Sequence, residues 1–355
     1  NKRFFSFKER LLLRLLVATQ LQRYTFIFNP PKKSAVFKNN LEDRQVVFTW
    51  FNDFLKAIGV GPYACFFFYA AVLCVCFFVF LTDYKKYAKW MVPLFLISFI
   101  WFEEFVIRQC FSWSFVFILL KLLHILNKDQ EKKKLSKVVK IKIYIGILGI
   151  SYIIYGTHSA NLFVVLVVLA FYVANRIIPW KIAVPIYVFA AYFFSAVFKG
   201  DFISQYLILL QGFDSKLDGY ANEGDKWFDT TNDIGNVRGG AIKLLETWGT
   251  VALIYYGNKV YELHRNRLYV MIYNTFVFGT ILRHAFFHLE ILNRLGLVLE
   301  ILWFVPLSFV AVDYKKMRQT KNEVWFRIGL IWYFFEYVKY IAFRSADRML
   351  FLWDM

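Results

Sequence analysis

Ionisable side chains inside or beside long apolar runs mark places where chemistry could sit, because a charge in hydrocarbon is costly. In this chain they gather at a few corners. Glu103, Glu104 and Arg108 stand where two apolar runs meet, with Gln109 beside the arginine. His158 lies in a polar turn, Gly156-Thr157-His158-Ser159-Ala160-Asn161, that interrupts another apolar run. Arg283, His284, His288, Glu290 and Arg294 form a third corner, and the spans between the corners read as almost bare of charge. His284 and His288 have the i, i+4 spacing of a metal pair. Neither an HExxH motif nor a third ligand accompanies them, so no metal site is read here. Cys65, Cys74, Cys76 and Cys110 sit in apolar runs and show neither zinc spacing nor a disulfide framework.

The stretch 199–246 interleaves carboxylates and amides with aromatics, among them Tyr220, Trp227 and Arg238. Such a mixture suits sugars, whose hydroxyls take hydrogen bonds and whose ring faces stack on Tyr or Trp. A solvated loop with interfacial aromatics is the plainer reading. The corner residues have plain readings too. Arg108 can snorkel to headgroups. Glu103 and Glu104 can be a solvated helix end or partners of Arg108. His158 can be a helix-turn residue, and Glu290 with Arg294 a local helix pair. Glu336 and Lys339, three apart in the last apolar run, can pair along one helix.

The elements that must position these residues are long helices. Of 355 residues, 59% are hydrophobic and 21% aromatic, and only 19% are charged. Soluble domains average about 45–50% apolar and about 25% charged, and disordered chains are poor in aromatics. Uncharged stretches cover 57–82 and 143–175, the second divided by the polar turn into two short helices. Similar runs lie near 90–104, 106–126, 181–198, 241–257, 268–287, 295–312 and 324–343. A spanning helix needs about 20 mostly apolar residues. No period-2 alternation suggests a barrel. The reading is all-α: a polytopic helical membrane protein with about ten or eleven spans.

The net charge of +18 is distributed by loop. Lys85, Lys86 and Lys89 occupy one connection; Lys128, Lys132, Lys133, Lys134, Lys137, Lys140 and Lys142 the next but one. Arg176 and Lys181, then Lys259, Arg265 and Arg267, then Lys315, Lys316, Arg318 and Lys321 continue the series. Connections poor in Lys and Arg alternate with these. Excess Lys and Arg holds loops on the cytoplasmic side, so the charge sets topology and is not a nucleic-acid footprint. The corners and the 199–246 loop then face outward. Four segments follow: 1–61, a basic start with one short or re-entrant crossing and a first outer loop; 62–198, helices with basic loops; 199–246, the long outer loop; and 247–355, further helices. The chain begins with Asn and has no signal-peptide h-region, so a leading span is expected to be missing.

Several short motifs resemble the EpsG-type, Wzy-like exopolysaccharide and O-antigen polymerase family of bacterial membrane proteins. Phe51-Asn52-Asp53-Phe54-Leu55-Lys56-Ala57-Ile58-Gly59 resembles that family's short amphipathic helix before an apolar span. Thr82-Asp83-Tyr84-Lys85-Lys86-Tyr87 resembles its basic turn, Arg108-Gln109 its Arg-Gln pair, and His158-Ser159-Ala160 its His-Ser-Ala turn. Arg294-Leu295 resembles its later Arg-containing helix start. The resemblance covers about residues 40–310. It departs from the family in the absent leading span, in the first outer loop between Arg23 and Asp43, and at Asn161, where an apolar residue is common.

The resemblance implies a glycosyltransferase of the bacterial cytoplasmic membrane, with GT-C-like architecture allowed. It would join lipid-linked oligosaccharide repeat units at the outer face for exopolysaccharide, capsule or O-antigen synthesis. An acceptor hydroxyl would attack the anomeric carbon of a donor carried on undecaprenyl diphosphate. On that reading Arg108, Arg283 and Arg294 hold the diphosphates, Arg238 helps from the loop, and Gln109, Tyr220 and Trp227 also bind substrate. His158, Glu290 or Glu104 serves as general base, and no cofactor is invoked. Membrane lipids and polysaccharide chain-length or export proteins are the further partners implied. Two other classes stay open: a transporter or flippase of lipid-linked sugars, and a non-catalytic component of an export complex. A transporter would place its polar groups near the midplane in repeated halves.

Overall fold

The computed structural model describes residues 46–103, 107–132, 135–194, 240–287, 290–317 and 323–344. All regular structure among them is helical. In order these are α1 (Val46–Ala57), α2 (Pro62–Leu81), α3 (Ala88–Glu103), α4 (Ile107–Lys132), α5 (Lys137–Thr157), α6 (Leu162–Ala174) and α7 (Trp180–Phe189). A π-helical turn, Ala190–Phe194, continues α7. Then come α8 (Gly240–His264), α9 (Arg267–Ala285), α10 (Glu290–Glu300), α11 (Phe304–Met317) and α12 (Val324–Arg344). Arg108–Lys128, Lys137–Thr157 and Leu292–Met317 are long and apolar enough to cross a membrane. The last of these runs from α10 through a 3-10 turn at Ile301–Trp303 into α11. α2 and α3 pass that test only as a pair, bent by 115° at the Thr82–Tyr84 break, where two separate spans are expected from sequence. Among the described residues there are three such helices, or four with that bent pair, against the about ten or eleven spans expected of the whole chain from sequence.

The chain divides into two compact units: residues 1–166 with 337–355, and residues 167–336. The division falls within α6, away from the 199–246 loop. In the first unit α4 packs against α2, α3 and α5. Its core is aromatic. Phe77 stacks on Phe95 with centroids 3.8 Å apart, and Phe80, Phe99, Trp113 and Phe117 close around them. Offset and edge contacts between rings add to the burial of large apolar area. α5 starts at Lys137, so this helix is longer than the uncharged run predicts. Ser136 caps it by accepting from the Val139 N–H. Lys140 and Lys142 stay within its first turns, as long side chains near a helix end can. Beyond them α5 exposes Ile141, Tyr144, Ile145, Leu148 and Tyr152 along most of its length. An exposed apolar row of this length belongs against lipid, and the described fold is that of a helical membrane protein.

In the second unit α9 is nearly all buried and packs against α10, α8 and α7. α6 ends at Asn175, which adopts positive φ (46°), a conformation Asn tolerates at a helix end. The extended turn after it is held by two buried asparagines. Asn274 Nδ2 donates to the Arg176 carbonyl (2.8 Å) and its Oδ1 accepts from the Ile178 N–H (2.9 Å). Asn258 Nδ2 donates to the Ile178 carbonyl (2.9 Å). Backbone groups that no helix satisfies are thus paired by side chains.

Candidate functional site

In the first unit, two motifs about fifty residues apart in sequence meet at one end of the α4–α5 pair. α4 opens on Ile107, with Arg108 exposed and Gln109 buried to 4% exposure. α5 ends at Thr157. His158 is its C-cap, in extended conformation (φ −153°, ψ 107°), and a 3-10 turn over Ser159–Asn161 follows. The turn closes by Asn161 N–H to the His158 carbonyl (2.9 Å). Asn161 is 1% exposed, and its Nδ2 donates to the Gln109 carbonyl (3.2 Å). Ser112 Oγ donates to the Ile154 carbonyl (3.3 Å) one helical turn further in. These two bonds tie the Arg108-Gln109 start to the His158 turn.

Two features suit that corner to an anionic or hydroxylated ligand. The first-turn N–H groups of a helix and its dipole favour negative charge, and Arg108 adds a guanidinium there. Gln109 Oε1 and Asn161 Oδ1 are buried there without a hydrogen-bond partner among the described residues. At Gly156, two residues before His158, a side chain would press on Val47. A Cβ there would lie 2.6 Å from Val47 Cγ2 of α1, which closes over this end of α5.

The corner of the second unit is built by two glycines. α9 and α10 run antiparallel in close contact. A Cβ on Gly279 would lie 2.5 Å from Glu300 N, and one on Gly296 would lie 2.6 Å from Arg283 Cα. Small residues let backbones approach this closely in membrane helices. The approach carries Arg283 across to Glu300: Nη1 donates to Oε2 at 2.5 Å, and Glu300 is 3% exposed. His284 Nδ1 is 2.9 Å from the Thr280 carbonyl, and Tyr187 meets its ring edge-on at 5.0 Å. Lys243 lies over the Tyr192 ring, whose hydroxyl is 3.2 Å from Thr247 Oγ1. Arg294 is exposed on α10.

The sequence-derived site residues therefore sort unevenly. Arg108, Gln109 and His158 are brought to one corner of the first unit, and Arg283 and Arg294 belong to the second. Glu290 opens α10, but its side chain, like all of Glu104, Arg238, Tyr220, Trp227 and His288, lies outside the described residues. Two residues were missed. Asn161, the departure from the family pattern, ties the first corner together. Glu300 lies within the 295–312 run, which is thus not bare, and its signal was a carboxylate inside an apolar stretch. No group of three or more His, Cys, Asp or Glu fit for a metal occurs among the described residues.

At the opposite, basic end of each unit, buried and half-buried carboxylates among the described residues take basic partners. Asp83 accepts from Lys121 and from Lys128 (2.9 Å). Burial alone would raise its carboxyl pKa, but the two ammonium groups outweigh it and hold the carboxyl below its ordinary value. His264 Nε2 is 2.8 Å from the buried Asp313, and Lys259 pairs with the buried Glu323. Compared with protein-family models, curated proteins and solved structures, the chain finds no match in any of the three.

Proposed function

We propose that the protein is a glycosyltransferase that polymerises lipid-linked oligosaccharide repeat units at the outer face of a bacterial cytoplasmic membrane. The reading includes about ten or eleven spans, a GT-C-like arrangement and an undecaprenyl diphosphate-linked donor. One observation supports it above the others. The Arg108-Gln109 pair and the His158-Ser159-Ala160 turn, far apart in sequence, are joined through the Asn161–Gln109 bond.

The acceptor hydroxyl loses its proton to a base and its oxygen bonds to the anomeric carbon. The bond from that carbon to the diphosphate oxygen breaks, and the lipid diphosphate leaves with the electron pair. Developing charge on the leaving group is what a guanidinium at a helix N-terminus stabilises best, by paired hydrogen bonds to phosphate oxygens. Arg108 takes that role here. His158 takes the proton, as the side chain most often used for general-base work.

The test is extension of a defined lipid-linked repeat unit by purified protein in proteoliposomes. Arg108→Ala should slow extension by about 10²–10³-fold, the usual loss of one charge-stabilising donor. His158→Asn should leave donor binding intact while slowing transfer. Wild-type protein that extends nothing, or variants as fast as wild type at equal insertion, would overturn the reading.

A further inference from the structure

Helix α1 divides its surface into three sectors rather than two. At 100° per residue, Val47, Phe48, Phe51 and Leu55 fall on one side. They pack on α2, α4 and α5: Leu55 is 1% exposed, Phe51 stacks on Phe111 at 4.9 Å, and Val47 caps Gly156. Thr49, Asn52, Asp53 and Lys56 form a polar sector, with Asp53 and Lys56 paired at 3.8 Å in the open. The third sector is apolar and uncovered: Val46, Trp50 and Phe54 are 41%, 65% and 59% exposed. Ala57 shares that sector and is also exposed. A helix with one wet side and one dry side needs no third; a second, outward apolar sector needs its own partner.

We infer that this sector is an interfacial membrane contact: α1 lies in the outer headgroup and acyl boundary, with Trp50 and Phe54 in lipid and Asp53 and Lys56 in water. Three observations commit the surface to lipid. The helix has 12 residues, too short to span but long enough to lie flat. Val47 seats it on the end of α5, whose exposed row from Ile141 to Tyr152 already faces lipid, so the two apolar surfaces adjoin. It also lies at the end of α5 away from the basic residues Lys137, Lys140 and Lys142, which the charge rule makes the outer end. Trp is the residue type enriched at that depth. This assignment is independent of the proposed chemistry. Its consequence is that the roof over Gly156, two residues before His158, is anchored to the bilayer surface.

The test puts p-benzoylphenylalanine at position 50, 54, 53 or 56 of the full chain in phospholipid vesicles and identifies photoadducts by mass spectrometry. Phospholipid adducts at 50 and 54 should exceed those at 53 and 56 by about fivefold or more, as for a helix lying in the interface. Equal yields at all four positions, or protein cross-links dominating at 50 and 54, overturn the inference. A second measurement needs no unnatural residue. The emission lost on Trp50→Phe should be blue-shifted and quenched by brominated lipids. Quenching of that component by aqueous iodide instead overturns it equally.

Discussion

The close approach of α9 and α10 can be tested through the two glycines that permit it. Replacing Gly296 with Ala sets a methyl carbon 2.6 Å from Arg283 Cα; replacing Gly279 sets one 2.5 Å from Glu300 N. The obstructing atoms include backbone, so no rotamer change relieves them, and the helices must part by about 1 Å to restore ordinary contact. Overpacking of this kind costs about 1–3 kcal/mol, against about 0.8–1.0 kcal/mol that Ala gains over Gly in a helix. Parting also stretches the 2.5 Å Arg283–Glu300 bond toward the limit of hydrogen bonding. Each single variant should therefore lose up to about 2 kcal/mol of net stability. One parting makes room for both methyls. The double variant should then be less destabilised than the sum of the singles, by about 1–3 kcal/mol of coupling. Gly149 provides an internal control: a Cβ there meets nothing within 4 Å, so Gly149→Ala should be neutral or stabilising. SDS unfolding in mixed micelles, followed by circular dichroism, measures all four variants. Additive losses, or a Gly296→Ala variant as stable as Gly149→Ala, would refute the reasoning.

Three further perturbations have defined outcomes. Arg283→Met or Glu300→Leu alone should each cost about 3–5 kcal/mol by stranding a buried charge, while both together cost much less; additive losses in the same unfolding assay would count against the pair. Asn274→Ala leaves the Ile178 N–H and the Arg176 carbonyl without their side-chain partner, which should cost about 1–3 kcal/mol and raise hydrogen exchange at residue 178. For Asp83 the folded pKa lies below the ordinary carboxylate value. Its contribution is therefore fully present above the unfolded pKa and is lost as pH falls through the folded one. Asp83→Asn should flatten the fall in stability below about pH 4, and an unchanged acid limb would refute the pairing.

Apolar runs located nearly every helix, because hydropathy averages over a window and survives a few misplaced residues. The same averaging hid Glu300: Leu, Ile, Val and Trp around it outweigh one carboxylate. It also started α5 at Ile143 instead of Lys137, since lysines at a helix end read as loop. Which polar residues meet depends on pairings far apart in sequence, such as Asn274 with Arg176 and Ile178, 98 and 96 residues apart, and no periodicity encodes these. Asn161 was visible only as a departure from a pattern; its reason is the Gln109 carbonyl across the helix pair. The aromatic excess reads from composition as interfacial belts or ligand contacts. Much of it is packing, in the cluster around Phe77, Phe95 and Phe117.

The Arg283–Glu300 pair gives any Arg283 substitution two separate effects. Its guanidinium has five donors, and the one on Glu300 fixes the fork while matching its charge. A phosphate meeting Arg283 therefore meets a site whose net charge is already reduced by a carboxylate 3% exposed to solvent. Arg108 stands at a helix start, where the dipole adds to its charge instead. Loss of extension in Arg283→Met alone would thus mix two causes: a lost phosphate contact and a buried carboxylate left unpaired. Arg283→Met with Glu300→Leu separates them. If the double variant regains both stability and extension, Arg283 serves only to lock α9 to α10. If it regains stability but not extension, Arg283 contacts substrate as well, and Glu300 orients it.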